Sequence, residues 1–173
     1  MISYIIRTHN EERWVGHCIQ SIINNSKEKF EVIIVDNEST DDSLQIVKMF
    51  KNEDFQMKVL KIPKDEYTPG KALNMGLSAA SKNSKIGCLI SAHCTVEKVD
   101  EDKISSHFED DECFGILGKQ IPIFKGKKLQ SVYVWENFSH DEVVKNLKEN
   151  NADESPFFHN AFSFINLNIW REF

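Results

Sequence analysis

Phe30-Glu31-Val32-Ile33-Ile34-Val35, followed at once by Asp36-Asn37-Glu38-Ser39-Thr40-Asp41-Asp42, is the stretch that decides the fold. The first six residues form a short, β-branched, apolar run that reads as a buried strand, and the polar residues after them read as a turn into a helix. Leu44, Val47 and Phe50 supply that helix's inner face. One strand feeding one helix through a polar turn is the repeating unit of an α/β domain.

The same unit recurs on either side. Upstream, Ile2 to Arg7 is a compact β-rich run ending in Thr8-His9-Asn10, where Asn10 is placed to cap a helix opening with Glu11-Glu12. Trp14, Cys18, Ile19, Ile22 and Ile23 form one apolar helical face, which stops near Asn24-Asn25-Ser26. Downstream, Met57 to Ile62 is a third strand. Thr68-Pro69 then gives an N-cap followed by proline at the first helical position, with Leu73, Leu77 and Ala80 facing inward. Ile86 to Ile90 is a fourth strand and runs directly into Ser91-Ala92-His93-Cys94.

Beyond residue 100 the pattern is looser. Cys113 to Leu117 reads as a strand, and Lys125 to Lys128 as a loop. Ser139-x-x-Glu142 reads as a capping box before a helix carrying Val143, Val144 and Leu147. Asn160 to Asn166 alternates like a strand, and Ile169-Trp170-Arg171 begins another helix. The expected architecture is a mostly parallel sheet flanked by helices, in one unit spanning 1–173 without repeats or an interdomain linker.

Composition narrows the function classes. A net charge of −6, from 27 acidic and 21 basic residues, argues against nucleic acid as a partner. The N-terminal apolar stretch is too short for a signal peptide or a membrane span, which gives the expectation of a cytoplasmic protein without an integral membrane segment. The four cysteines, Cys18, Cys88, Cys94 and Cys113, are scattered and read as free, mostly buried thiols. A zinc site at Cys88, His93 and Cys94 would lack a C-x-x-C pair and is set aside. No G-x-G-x-x-G follows the first strand, which argues against a dinucleotide-binding dehydrogenase.

Ligands of open parallel sheets bind beyond the carboxyl ends of the strands, so Thr8-His9-Asn10, Asp36-Asn37 and Ser91-Ala92-His93 gather along one candidate edge. Each group also has a structural role open to it. Asn10 and Ser39 suit helix caps, Asp41-Asp42 suits a helix N-terminus, and Asp36 is by spacing equally a ligand or a turn residue.

Longer motifs add to this. Ser3-Tyr4-Ile5-Ile6-Arg7-Thr8-His9-Asn10-Glu11 resembles the opening strand of family-two glycosyltransferases ending P-T-Y-N-E, with Arg7 and His9 replacing proline and tyrosine. Ile33 to Asp41 resembles their D-(D/N)-x-S-x-D signature, and Gly70-Lys71-Ala72-Leu73-Asn74-Met75-Gly76 their G-x-x-x-N-x-G helix. Leu117-Gly118-Lys119-Gln120-Ile121-Pro122, and Phe158 to Ser163 with Trp170-Arg171, are similar to segments of rhamnosyltransferase-like members.

The resemblance implies a GT-A fold, with 1–95 as the nucleotide-sugar-binding part and 96–173 as a partial acceptor-side part. It implies an inverting transfer of sugar from a nucleoside-diphosphate sugar to a glycan or lipid-linked acceptor, in cell-surface polysaccharide biosynthesis. Such an enzyme would be cytoplasmic or peripheral at the inner membrane face. The implied donor-binding residues are Arg7, Thr8, His9, Glu11, Asp36, Lys71, Ser91, Ala92 and His93, with Asn160, Trp170 and Arg171 on the acceptor side. Asp36 would accept from the nucleobase N–H, and Lys71 would lie near the diphosphate.

Where the family carries D-x-D, this chain has Ser91-Ala92-His93. A divalent cation, Mn²⁺ or Mg²⁺, would therefore rest on His93 as its metal ligand, or His93 would neutralise the diphosphate directly as imidazolium. The family's catalytic base falls beyond Phe173, so this chain is expected to be truncated before it. The competing expectation is a nucleotide-sugar-binding pseudoenzyme.

Overall fold

The structure is a computed structural model describing residues 1–51, 54–129, 142–145 and 159–173. Seven β-branched or aromatic residues of β1 (Ile2–Thr8) and β2 (Phe30–Asp36), namely Tyr4, Ile5, Ile6 and Val32 to Val35, are wholly buried at the sheet's centre, and the two strands pair in parallel from Ile2↔Phe30 to Thr8↔Asp36. β3 (Gln56–Lys61) flanks β2, and β4 (Ile86–Ser91) flanks β1 on its other side, both in parallel. With β5 (Cys113–Leu117), β8 (Glu142–Lys145) and β9 (Phe162–Asn166), the sheet has the order β3-β2-β1-β4-β9-β5-β8. These last three join by antiparallel ladders, with β9 wedged between β4 and β5.

Apolar layers cover both faces. On one, Tyr4, Ile6, Val32 and Ile34 meet Val15, Cys18, Ile19 and Ile22 of α1 (Val15–Asn25) and Val47 of α2 (Ser43–Met49). On the other, Ile5, Val35 and Leu89 meet Ala72 and Leu77 of α3 (Pro69–Ser78) and Leu167 of α5 (Leu167–Trp170). The short α4 (Glu101–His107) lies between β4 and β5 in the chain. α3 approaches β1 closely enough that a Cβ on Gly76 would stand 2.3 Å from Ile5 Cγ2, which explains the glycine in the Gly70–Gly76 motif. As expected, Thr68 Oγ1 caps α3, accepting from the Lys71 amide at 3.1 Å, with Pro69 at the first position.

Four local readings are corrected. Asn10 does not cap α1. It takes a left-handed backbone (φ 55°), and its Oδ1 accepts from the Thr40 amide at 2.8 Å across the gap between loops. The helix starts only at Val15, after a turn closed by Val15 N–H to Glu11 O, and this leaves Trp14 half-exposed rather than on the inner face. Ser39 is likewise no helix cap, because its hydroxyl accepts from the Asn10 amide. Lys125 to Lys128 includes half of a hairpin: β6 (Ile123–Phe124) pairs with β7 (Lys127–Lys128) around Lys125 and Gly126, both at positive φ.

The fourth correction is at Glu142–Lys145, which is a strand. Its two valines extend along the edge of β5, Ile116 opposite Val143, where β-branched residues fit better than in a helix. Ser139, Leu147 and Phe158 lie outside the described residues.

A buried carboxylate holds the amino end of the sheet. Glu31 Oε1 accepts from Ser3 Oγ at 2.6 Å and from the Ser81 amide at 2.7 Å. Its Oε2 meets Lys58 Nζ and Ser81 Oγ, both at 2.9 Å. Burial alone would raise this carboxyl, but the hydrogen bonds from Lys58, Ser3 and Ser81 outweigh it and hold it below the usual carboxylate range.

Candidate functional site

The chain winds from β1 out to β3 and then crosses back to place β4 on the other side of β1. The carboxyl ends of β1 and β4 therefore flank the point where strand order reverses, the crevice in which open α/β sheets bind ligands. Register brings Thr8 opposite Asp36 and Arg7 opposite Ser91 at that edge. The three clusters read from the sequence do converge.

Thr8 and Asp36 continue the face of Ile6 and Ile34 and are both buried, at 3% and 1% exposure. Asp36 divides its carboxylate between two roles. Oδ2 accepts from the Ser39 amide at 3.2 Å and fixes the turn, whereas Oδ1 is buried with no hydrogen-bond partner among the described residues. Thr8 Oγ1 and Asn37 Oδ1 are in the same condition. Orphaned buried polar atoms cost on the order of 1–3 kcal/mol each, and several together at a strand-end crevice are what a polar ligand would satisfy.

The two loops bordering this crevice are laced together. His9 Nδ1 donates to the Asn37 carbonyl at 2.6 Å, which makes Nδ1 the protonated ring nitrogen. Ser43 Oγ accepts from the Glu11 amide at 2.7 Å, and Asp41 Oδ2 accepts from the Glu12 amide at 3.0 Å. Burial would raise the Asp41 carboxyl, but hydrogen bonds from the Ser43 hydroxyl and from the Glu12 and Ser43 amides hold it below its ordinary value. Glu38, at φ 49°, adds a non-glycine left-handed residue beside Asp36 and Asn37.

The cations at this edge are partnered unequally. Lys71 Nζ lies 2.6 Å from Glu66 Oε2, and His93 Nδ1 lies 3.2 Å from Glu11 Oε1. Arg7 has only neutral partners among the described residues: Nη1 donates to Tyr67 Oη at 3.2 Å and Nη2 to Asn160 Oδ1 at 3.0 Å. Its Nε is buried without a partner among those residues. Tyr67 is a residue that sequence reasoning missed, the only signal being its place in the polar turn before Thr68-Pro69.

Of the residues assigned to an acceptor side, Asn160 reaches the crevice, and Trp170 and Arg171 do not. β9 runs antiparallel to β4, Ile86 opposite Asn166, so α5 lies at the amino end of the sheet. There Arg171 donates to the carbonyls of Ser84 and Ser81, both at 3.0 Å, and anchors the turn between α3 and β4.

The segment at the D-x-D position does not itself fit a hard divalent cation, for it carries no carboxylate. Ser91, Ala92 and His93 contribute one imidazole, already facing Glu11, and among the described residues no group of three or more His, Cys, Asp or Glu could hold a metal ion. Cys18, Cys88 and Cys113 are buried free thiols and Cys94 a partly buried one. Among the described residues no helix is long and apolar enough to cross a membrane.

Comparison with known proteins gives this geometry a family. Over 89 residues, 49% of this chain and 20% of the relative, the sequence is 41% identical to the minor teichoic acid biosynthesis protein GgaA of Bacillus subtilis. The crystal structure of S. aureus TarS in complex with UDP-GlcNAc superposes with a TM-score of 0.66 at 20% identity, covering 99% of this chain and 46% of that one. The mannosyltransferase PcManGT from Pyrobaculum calidifontis, in complex with GDP-Man and Mn²⁺, gives 0.66 at 17% identity with the same coverages. The chain spans less than half the length of these proteins, and it shares with the two structures the GT-A fold. The profile described as Glycosyl transferase family 2 matches residues 3–165, nearly the whole chain, and the protein belongs to that family.

Proposed function

We propose that this chain forms the donor-binding part of a glycosyltransferase that moves a sugar, with inversion, from a nucleoside-diphosphate sugar to a glycan or lipid-linked acceptor. The observation that carries the reading is the buried, unpartnered Asp36 Oδ1 beside Thr8 Oγ1 at the switch point of the sheet. A carboxylate oxygen with no donor is the complement of a nucleobase N–H, which uracil and guanine both present. The TarS and PcManGT structures hold UDP-GlcNAc and GDP-Man, a nucleotide of each kind.

In this reading Asp36 and Thr8 hold the base, and His9 and Glu11 bound the ribose side. Arg7, Lys71, Ser91, Ala92 and His93 surround the diphosphate, and Asn160 faces the acceptor. An acceptor hydroxyl oxygen attacks the anomeric carbon, its proton passes to a general base, and the bond from that carbon to the diphosphate oxygen breaks. Cations at the rim stabilise the leaving charge. The proposed acceptor class is a cell-surface polymer, as the name of the minor teichoic acid biosynthesis protein GgaA suggests for that relative. The proposed location is the inner membrane face, supported by the exposed Ile123 and Phe124 beside Lys125 and Lys127 on the β6–β7 hairpin.

Calorimetric titration with UDP, GDP and dTDP tests the donor site: at least one should bind, and Asp36→Ala should weaken it by about tenfold or more. Binding unaffected by that substitution would remove the assignment. Following sugar release from the matching nucleotide sugar, with and without acceptor, then separates a transferase from a protein that only binds its donor.

A further inference from the structure

We infer that Arg7 supplies the charge that a divalent cation would otherwise supply to the donor diphosphate, so that this site binds a nucleoside diphosphate without metal. The inference rests on the donor-site reading above. Arg7 ends β1 directly opposite Ser91, the first residue of Ser91-Ala92-His93, so a guanidinium borders the segment that lacks a metal-holding donor set.

Among the described residues Arg7 is the cation that borders Ser91 and has no acidic partner. Lys71 is satisfied by Glu66 and His93 by Glu11, whereas the partners of Arg7, Tyr67 and Asn160, are both neutral. Asp36 lies on the opposite face of the sheet, among the neighbours of Ile34, and does not compensate it. A guanidinium offers five N–H donors in a rigid fork, and only two are used here. The buried Nε is one of those left over. A half-buried cation without a counter-charge is unfavourable by itself, and a phosphate held by that fork would offset the cost with short, charge-assisted hydrogen bonds. Tyr67 and Asn160 already fix the side chain, so little ordering remains when the anion arrives.

The full chain is titrated with UDP, GDP and dTDP in EDTA and again in Mn²⁺. One of the three should bind in EDTA, with Mn²⁺ changing its Kd by less than about threefold. Arg7→Met should weaken that nucleotide by about tenfold or more in EDTA, the loss expected of a charged hydrogen-bond pair, and Arg7→Lys by less. Binding seen only with Mn²⁺, or tightened by it about tenfold or more, overturns this inference and leaves the donor site standing. Equal binding by parent and Arg7→Met, with both folded by circular dichroism, overturns it too. If Arg7→Met does not fold, the contrast between EDTA and Mn²⁺ decides alone. No binding of any of the three in either condition would overturn the donor-site reading itself.

Discussion

Arg7 Nη2 and Asn160 Oδ1 lie 3.0 Å apart although 153 positions separate the two residues in the chain. The contact joins the end of the first strand to the segment entering β9. An end of the chain that reads as donor-binding and one that reads as acceptor-side therefore meet at one guanidinium.

Asn160→Asp should move stability and binding in opposite directions. A carboxylate in place of the amide would compensate Arg7 and raise stability by at most about 1 kcal/mol, since both groups are partly exposed. The same pairing would engage the fork intended for the diphosphate and weaken nucleotide binding. Thermal melts and calorimetry on one preparation read both signs.

Asp36→Ala should cost about 1.5–3 kcal/mol of nucleotide binding, the worth of a charged hydrogen bond, while the fold persists. The retained fold is expected because only one turn amide, that of Ser39, depends on this side chain. Loss of the cooperative unfolding transition would instead make Asp36 a structural residue.

Gly76→Ala should destabilise by about 1–3 kcal/mol, because the added Cβ meets Ile5 and Val35 in the layer beneath α3. Gly70→Ala, six residues earlier in the same motif, meets nothing within 4 Å and should be close to neutral. Urea unfolding of the two variants distinguishes packing from any shared functional role.

Glu31 makes stability fall in acid. Its carboxyl is held low in the folded chain, so its contribution is complete above the unfolded value of about 4.3 and is lost as pH falls through the folded value below that. Glu31→Gln should be less stable than the parent at neutral pH, since Lys58 loses its partner, and the gap should narrow below about pH 4. Denaturant midpoints across that range test the sign. His159 acts in the same direction: burial depresses its imidazole, and protonation in acid works against the fold.

Ile123→Ser with Phe124→Ser should abolish sedimentation with vesicles containing phosphatidylglycerol. The parent should sediment with those and less with phosphatidylcholine alone, because insertion of the exposed aromatic is assisted by the neighbouring lysines. Parent that binds neither vesicle would remove the proposed membrane location.

The parallel half of the sheet was legible because each of its strands is a compact apolar run ended by polar residues, and each helix between them carries a 3.6-residue apolar stripe. Cap assignments failed where two loops interact. Nothing local in Asn10 or Ser39 reveals that each bonds across to the other's loop, 29 or 30 positions away, rather than to its own helix. The valines at 143 and 144 fit a helical face by pattern, and only an available edge on β5 decides for a strand. At the site, strand ends could be read, but partners could not. That Lys71 meets Glu66 while Arg7 meets no acid among the described residues depends on side-chain placement that spacing does not encode.

The position of β9 has a bearing on how the protein is made. All six residues of β4 are buried in the finished sheet, and one of its two edges is closed by a strand ending at Asn166. A chain emerging from the ribosome has β1 to β4 in hand once Ser91 is out, yet it must carry an open, apolar β4 edge until the last strand is delivered. During that interval the open edge presents unpaired backbone groups and is a template for pairing with another chain.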